Sequence, residues 1–222
     1  GEDTAADTED STASIAATIN AAETSGAGGR NERVIFPAGG YKIKKLGVVG
    51  THSCFQAEQG VPATQNSYWL EGAGAAHTTL FNVHDSNDPM IVHSADNGAG
   101  VQSKIFVLKD MTIDGNNRPN TSALVHLRAD YIFIDNVEFR NMGPAIRFTG
   151  QPKLVAVTNC RFVDMKADTG VAIEQTLIRM DEDATDCTFI FTDNYVVGAT
   201  PSAVGLGQGG VEVVSGSTGK NV

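Results

Sequence analysis

The sequence predicts an all-β chain, folded as a single-stranded right-handed parallel β-helix with three sheets and about six to eight coils. The main observation is a repeat: VLKDMTID (107–114), FIDNVEFR (133–140) and AVTNCRFV (156–163) align on one another. Each copy has an alternating apolar run, then Asp or Asn, then a second alternating run. The aligned positions are 26 and 23 residues apart, and FTDNYVV (191–197) follows 35 residues later.

The second observation is composition. The 222 residues suit one domain, and 24 glycines with only 19% charged residues are typical of short strands joined by turns. The net charge of −10 argues against a nucleic-acid partner, which needs a basic face. Since no apolar run approaches the roughly 20 residues of a membrane helix, no membrane partner is expected either.

The three cysteines predict neither a disulfide framework nor a metal centre. Cys54, Cys160 and Cys187 are odd in number and lack the spacing of zinc ligands. Cys160 falls on a core-facing position of the repeat and is interpreted as a buried free thiol. No metal site and no cofactor are expected.

The N-terminal region predicts a cap on the solenoid. Residues 1–10 form an acidic segment, and residues 11–30 form a capping helix and a turn. The helix is expected over 11–24, with Asp10 or Ser11 as its N-cap and Ile15 and Ile19 on one face. An open solenoid end exposes core residues and unpaired strand edges, so this helix is expected to cover the first coil.

Residues 31–222 are assigned to the β-helix, with loops near 51–67 and 94–104. Strands are expected in VIFPAGGYKI (34–43), SYWLEGAG (67–74), TTLFNV (78–83) and MIVH (90–93). LVHLR (124–128), AIRFT (145–149) and VAIE (171–174) align as a first sheet. Right-handedness follows from the crossover rule for parallel strands.

Alternation within the coils predicts the core. Twelve residues are expected to be buried in stacked columns: Val125, Leu127, Ile132, Ile134, Val137, Phe139, Ile146, Phe148, Val155, Val157, Cys160 and Phe162.

The polar residue inside each repeat marks a bend between the second and third sheets. Asp110, Asn136, Asn159 and Asn194 take these positions. Asn and Asp tolerate the left-handed backbone that such a bend needs, and stacked Asn side chains can bond from coil to coil. These residues are interpreted as structural.

The candidate functional residues lie on the first sheet. Two outward columns are expected, one of His126, Arg147 and Ala172, the other of His93, Arg128, Thr149 and Glu174. Four groups that carry positive charge would then share one face of an acidic chain, which suits an anionic ligand such as a uronate or a sulfated sugar. The alternative is a solvated face neutralised by Glu174 and loop carboxylates.

Other outward residues have simpler interpretations. Glu138 over Arg161 and Lys109 over Asp135 are expected to be cross-strand ion pairs. The aromatic residues considered for sugar stacking are Tyr68, Trp69, Tyr131 and Phe133. The alternative is that a loop or a partner subunit covers them.

Three segments carry a resemblance to a known family. VIFPAGGYKI, YWLEGAGAAHTTL (68–80) and MTIDGN (111–116) resemble early coils of the pectate-lyase superfamily of β-helix proteins. The resemblance covers roughly residues 1–165 and implies the fold and an Asn ladder. Its bacteriophage branch contains tailspikes and appendage proteins, and other members are polysaccharide lyases and hydrolases, so chemistry does not follow from the fold.

Two functions remain open at this point. The first is a bacteriophage tailspike-like or appendage-like protein, structural and polysaccharide-adhering, built as a homotrimer or larger virion assembly and located on the virion surface or extracellularly. The alternative is a lyase or glycoside hydrolase acting on an acidic polysaccharide. In a lyase, Arg147 or Arg128 would neutralise the substrate carboxylate and His126 would be the base. Substrate contacts are assigned to His93, His126, Arg128, Arg147 and Glu174.

Overall fold

The structure is a computed structural model, and it describes the parts of the chain that carry most of the repeat. The described residues are 11, 14–15, 17–18, 31–43, 55–57, 67–83, 90–93, 103–117, 125–148, 150–165, 177–180, 187–197, 211–213 and 220–221. They are almost entirely β-structure.

The strands in chain order are β1 (Asn31–Ile35), β2 (Gly39–Ile43), β3 (Phe55–Ala57), β4 (Ser67–Glu71), β5 (Thr78–Asn82), β6 (Ile91–His93), β7 (Ser103–Asp114), β8 (Val125–Leu127), β9 (Ala129–Arg140), β10 (Ile146–Phe148), β11 (Leu154–Thr158), β12 (Arg161–Val163), β13 (Ile178–Met180), β14 (Thr188–Thr192), β15 (Tyr195–Val197), β16 (Val211–Val213) and β17 (Lys220–Asn221).

The chain returns repeatedly to the same two sheets. A six-stranded sheet has the order β16-β13-β10-β8-β6-β3, and an eleven-stranded sheet contains the other strands. Every strand pair among the described residues is parallel, and pairing strands come from successive coils. This is the topology of a parallel β-helix. The six-stranded sheet is called the first face below.

The larger sheet forms two faces because its strands bend. β1, β4, β11, β14, β17 and the N-terminal halves of β7 and β9 form the second face; β2, β5, β12, β15 and the C-terminal halves form the third face. The expectation of three separate sheets is therefore corrected. β7 and β9 run through the bend without a break, which joins the second and third sheets into one.

The predicted core is confirmed. None of the twelve residues predicted to be buried is more than 1% exposed. They form columns along the solenoid, and within one column the rings of Phe139 and Phe162 stack with centroids 5.3 Å apart. The alternation of β9 before its bend, in which Ile132 and Ile134 are buried and their neighbours are not, explains why the repeat could be recognised.

The N-terminal cap is described only at a few residues. Ser14, Ile15, Ala17 and Thr18 are helical, and Ile15 is 8% exposed within the core cluster. The amide of Ser11 donates to the carbonyl of Lys42 in β2. The rest of 1–30 lies outside the described residues, so the extent of the helix and its covering role stay predictions. The same holds for the coil number and the handedness.

The predicted loops differ in detail. Within the 51–67 segment, Phe55–Ala57 form β3 and pair with β6, so this segment returns to the stack. The other loop was expected near 94–104, but residues 103 and 104 already belong to β7. The remaining parts of both loops lie outside the described residues.

The bends use the left-handed backbone as predicted. Asp110, Asn136 and Asn159 have φ of 57°, 52° and 53°. The Asn136 amide donates to Asp110, whereas the Asn159 amide donates to Asp135, so the ladder is mixed rather than purely Asn on Asn.

The fourth bend differs by one residue. Asp193, with φ of 56°, takes the bend position, and Asn194 lies level with Cys160. Asn194 accepts a hydrogen bond from the Cys160 amide and donates one to the Val157 carbonyl. The prediction of Asn194 at the bend is wrong because Asp and Asn adopt the left-handed conformation with similar ease.

Burial of Cys160 predicts a pH dependence of stability. Burial raises the pKa of the Cys160 thiol from 9.0 to about 12. The folded state therefore holds this proton where the unfolded state loses it, and stability should fall as pH rises above 9. The expected slope is up to about 1.4 kcal/mol per pH unit. Urea unfolding at pH 7, 9 and 10.5 measures it.

The Cys160→Ala variant is the control for this effect. It should be less stable than the parent at pH 7, and the difference should shrink as pH rises. A stability difference that stays constant from pH 7 to 10.5 would contradict the prediction. It would mean that the Cys160 thiol loses its proton to the same extent in the folded and the unfolded chain.

Candidate functional site

The first face is built from short strands with one apolar pattern. β8, β10 and β13 read Val-His-Leu, Ile-Arg-Phe and Ile-Arg-Met. In β10, Ile146 and Phe148 are buried and Arg147 between them is half-buried. Because alternate residues of a strand point to opposite faces, Arg147 lies on the outer side of the sheet.

The register of these strands brings basic residues together. Arg147 pairs with His126 on one side, as predicted. On its other side it pairs with Arg179, which the sequence analysis did not single out. Three consecutive coils therefore have His126, Arg147 and Arg179 at the same position. We call these three residues the cationic column.

The prediction that Ala172 lies beside Arg147 is corrected by this register. The strand after β10 is Ile178–Met180, whereas VAIE (171–174) lies outside the described residues. The Ile-Arg-Met triplet repeats the Ile-Arg-Phe triplet of β10, and this similarity could have identified Arg179. The longer separation between the two triplets concealed it.

The second predicted column is not formed as expected. His93 pairs with Leu127 rather than lying level with Arg128, and Val92 lies level with His126. The predicted register of β6 was thus wrong by one residue, which moves His93 to the position of a core residue. A three-residue strand has too few alternating positions to fix its own register.

Of the other members of that column, only Arg128 is described. Arg128 lies between β8 and β9, at the corner where the chain passes from the first to the second face, and it is half-buried. Thr149 and Glu174 lie outside the described residues. Arg147 and His126 are therefore the predicted site residues that the structure places side by side.

A second group of charges lies beyond the Arg128 corner. Asp130 accepts hydrogen bonds from the ammonium groups of Lys104 and Lys153, at 3.1 and 2.8 Å. The hydrogen bond that the Lys153 ammonium donates to Asp130 raises the pKa of Lys153. One carboxylate shared by two ammonium groups leaves an excess of positive charge at this edge of the second face.

The third face has ion pairs of the expected structural kind. Glu138 contacts Arg161 at 3.0 Å, as predicted, and Asp114 contacts Arg140 at 2.8 Å. Arg161 is 57% exposed, so its pair is expected to contribute little to stability.

Lys109 and Asp135 are neighbours in the strand register, but the predicted ion pair between them is not formed. The two residues are adjacent across β7 and β9, but the Lys109 ammonium lies 3.4 Å from both Glu71 and Asp110. The Asp135 carboxylate instead accepts from Thr158 and Asn159. The guanidinium of Arg33, through its hydrogen bond, lowers the pKa of Glu71.

The aromatic candidates divide into two groups. Tyr68 is 5% exposed and belongs to the core, so its consideration for sugar stacking was wrong. Trp69, Tyr131 and Phe133 are half-buried on the outer side of the second face. The Lys104 ammonium lies 5.1 Å from the centroid of the Tyr131 ring.

The described residues contain neither a cluster of side chains suited to a metal ion nor a helix suited to spanning a membrane. Within the described residues, no three or more His, Cys, Asp and Glu side chains are grouped so that they could bind a metal ion. Within the same residues, no helix has the length and apolarity needed to cross a bilayer.

The comparisons with known proteins find similarity to two mannuronan C5-epimerases. No family model and no solved structure matches the chain. The chain is 34% identical over 116 residues to mannuronan C5-epimerase AlgE4 of Azotobacter vinelandii, covering 52% of this chain and 18% of the epimerase. It is 33% identical over 111 residues to mannuronan C5-epimerase AlgE3 of the same organism, covering 50% of this chain and 5% of that protein. The chain thus spans a small part of either relative.

Proposed function

We propose that this β-helix binds an acidic polysaccharide through the cationic column of the first face. The observation that carries the proposal is the register of His126, Arg147 and Arg179 in three consecutive coils. The next residue in the same register is Glu212, so the three basic positions end at an acidic one. The concentration of basic residues is notable in a chain whose net charge is −10.

The geometry suits a polymer better than a single small anion. Parallel strands repeat about every 4.8 Å, so the column offers basic groups at regular intervals along the solenoid. A guanidinium binds a carboxylate through two parallel hydrogen bonds. A polysaccharide with a carboxylate on successive sugars could therefore be bound over several coils.

The similarity to mannuronan C5-epimerases supports the ligand class, since mannuronan is a polymer of mannuronic acid. It also introduces an enzymatic activity, epimerisation at C5, that is neither the lyase nor the hydrolase of the sequence analysis. Epimerisation at C5 removes a proton next to the carboxylate and returns one to the opposite side of the ring. Arg147 would neutralise the carboxylate and His126 would take the proton.

Binding without turnover nevertheless remains the first proposal. The register neighbours of His126 are Val92 and Arg147, and neither is an acid that could return or donate a proton beside it. A lyase or hydrolase has the same difficulty, since hydrolysis in particular uses two carboxyl groups roughly 5–10 Å apart. Incubation with mannuronan followed by proton NMR would reveal epimerised or unsaturated products and would favour the enzyme.

The finer parts of the hypothesis concern assembly and location. They are a tailspike-like or appendage-like role, a homotrimer or larger virion assembly, and a virion-surface or extracellular site. Their support is the resemblance of the early coils and the outward aromatic residues Tyr131 and Phe133. Light scattering of the purified chain tests the trimer, and a monomeric mass at micromolar concentration would exclude it.

The Arg147→Ala/Arg179→Ala double variant tests the binding surface. We expect binding to mannuronan oligosaccharides at low salt to weaken by at least about tenfold, because each charge-assisted bond contributes about 1.5–3 kcal/mol. Binding by the parent should also weaken as salt is added. Isothermal titration calorimetry at two salt concentrations measures both effects.

Arg161→Ala is the control for this experiment. It removes one positive charge, against two in the double variant, from an exposed position on the third face, and its effect on binding should be less than twofold. Equal affinity of the double variant and the parent would contradict the proposal, and equal losses in the double variant and in Arg161→Ala would reduce it to a net-charge effect.

A further inference from the structure

The outer side of the second face has two adjacent apolar columns. In register, Trp69, Val107 and Phe133 form one column, and Ile105, Tyr131 and Leu154 form the other. We call these six residues the apolar strip. Each alternates along its strand with a core residue, so the strip lies on the side of the sheet that faces away from the core.

The strip is unusual for an outer surface. Polar residues are expected on the solvent side of a sheet whose other side is already packed. Val107, which lies between Trp69 and Phe133, is only 7% exposed although it points away from the core. The other members are half-buried. The chain therefore maintains a continuous apolar surface that the inner packing of the β-helix does not require.

The dimensions of the strip limit what could bind there. It spans four coils, or about 19 Å, and is about 10 Å wide, which gives an area of roughly 200 Å². A stable interface between two proteins buries about 800 Å² on each partner. The strip alone is too small to hold a second copy of the chain, but it suits a narrow linear ligand lying along the solenoid.

The chemistry of the strip suits a sugar chain. Trp69 and Phe133 are two coils apart, and Tyr131 is two residues from Phe133 along β9. Aromatic rings offer flat apolar surfaces against which the apolar faces of sugar rings can stack. The Lys104 and Lys153 ammonium groups, which share Asp130, lie at the corner beside Tyr131 and complement an acidic sugar.

From these observations we infer that the apolar strip is a second saccharide-binding site, separate from the cationic column, which takes one polysaccharide chain laid along the second face. The inference rests on the proposed function for its ligand class. The Arg128 corner lies between the two surfaces, so a branched or folded polysaccharide could contact both. The column would bind mainly through charge and the strip mainly through stacking, so their salt dependences differ.

The fluorescence of Trp69 provides a direct test because it is the single tryptophan of the chain. Mannuronan oligosaccharides titrated into the protein should change its emission in a saturable manner. The change should persist in Arg147→Ala/Arg179→Ala and should persist in high salt. Phe133→Ala should shift the midpoint to concentrations roughly 2- to 10-fold higher, as expected for the loss of one ring contact.

Two controls make the result specific. Tyr195→Ala removes a 60% exposed aromatic ring on the third face and should leave the midpoint unchanged. Circular dichroism shows whether Phe133→Ala is folded. If that variant is not folded, the Trp69 titration of the parent protein still shows whether the apolar strip binds the saccharide.

The two proposals fail in different ways. If calorimetry detects binding but Trp69 emission stays constant, or if the emission change disappears together with the cationic column, the strip is not a site and the proposed function stands. If emission changes but the double variant binds as tightly as the parent, the cationic column is overturned and the strip stands. If neither method detects binding of mannuronan, both proposals are wrong.

Discussion

The Phe162→Ala variant is expected to lose about 3–5 kcal/mol of unfolding free energy, the cost of truncating a fully buried aromatic residue. Phe162 is 0% exposed, and its ring stacks on Phe139 at 5.3 Å and lies 6.1 Å from Phe191. Neighbouring coils can close the resulting cavity only by shifting along the solenoid, which the hydrogen bonds of β12 with β9 and β15 oppose. Urea unfolding followed by circular dichroism measures the loss.

Tyr195→Ala is the comparison for this prediction. Tyr195 lies in the next coil, level with Arg161, and it is 60% exposed, so its truncation should cost less than about 1 kcal/mol. Similar losses in both variants would mean that the third face is not a continuous packed core. Since a protein of this size is stable by about 5–15 kcal/mol, the Phe162 variant would retain only part of that margin.

The core was predictable because the coils of the central region are nearly uniform. In β9 the buried apolar residues are Ile132 and Ile134 before the bend and Val137 and Phe139 after it, and β11 repeats the first pair with Val155 and Val157. Each copy therefore fits the same register. The bends at Asp110, Asn136 and Asn159 were predictable for a related reason. Few residue types adopt a positive φ without strain, so a polar residue between two alternating runs identifies the turn.

The first face was harder to predict because its strands have only three residues. β6, β8, β10 and β13 each contain too little alternation to exclude a shift by one residue, and His93 was misplaced for that reason. The long segment between Met165 and Leu177 allowed VAIE to be chosen in place of the Ile-Arg-Met triplet. The register of a strand is therefore hardest to predict where the strand is short and the segment before it varies in length.

This difference has a consequence for the candidate site. The pairing of His126 with Arg147 could be predicted because only 21 residues separate them and the repeat on both sides fixes the step. Arg179 could not, since its position depends on the length of the preceding segment. The apolar strip was recognised only as separate aromatic residues, because its continuity depends on Val107, Ile105 and Leu154, which in the sequence resemble ordinary strand residues.

The Gly72→Ala variant is expected to lose at least about 3 kcal/mol, at or above the usual range for overpacking. Gly72 lies level with the Asp110 bend of the next coil, and its amide donates to the Lys109 carbonyl. A Cβ at this position would lie 2.2 Å from the Asp110 carbonyl oxygen and 2.9 Å from the Cβ atoms of Met111 and Thr78. The Asp110 oxygen cannot withdraw freely, because it accepts a hydrogen bond from the Gly74 amide.

Gly40→Ala is the matched control. The atom within 3.0 Å of its added Cβ is Cε2 of the Phe81 ring, at 2.9 Å, and the end of a side chain can turn away where a backbone carbonyl cannot. Its stability should change by less than about 1 kcal/mol in either direction. A well-folded Gly72→Ala protein with the thermal midpoint of the parent would show that the two coils are farther apart at this bend. The close approach of Gly72 to the Asp110 carbonyl would then be wrong.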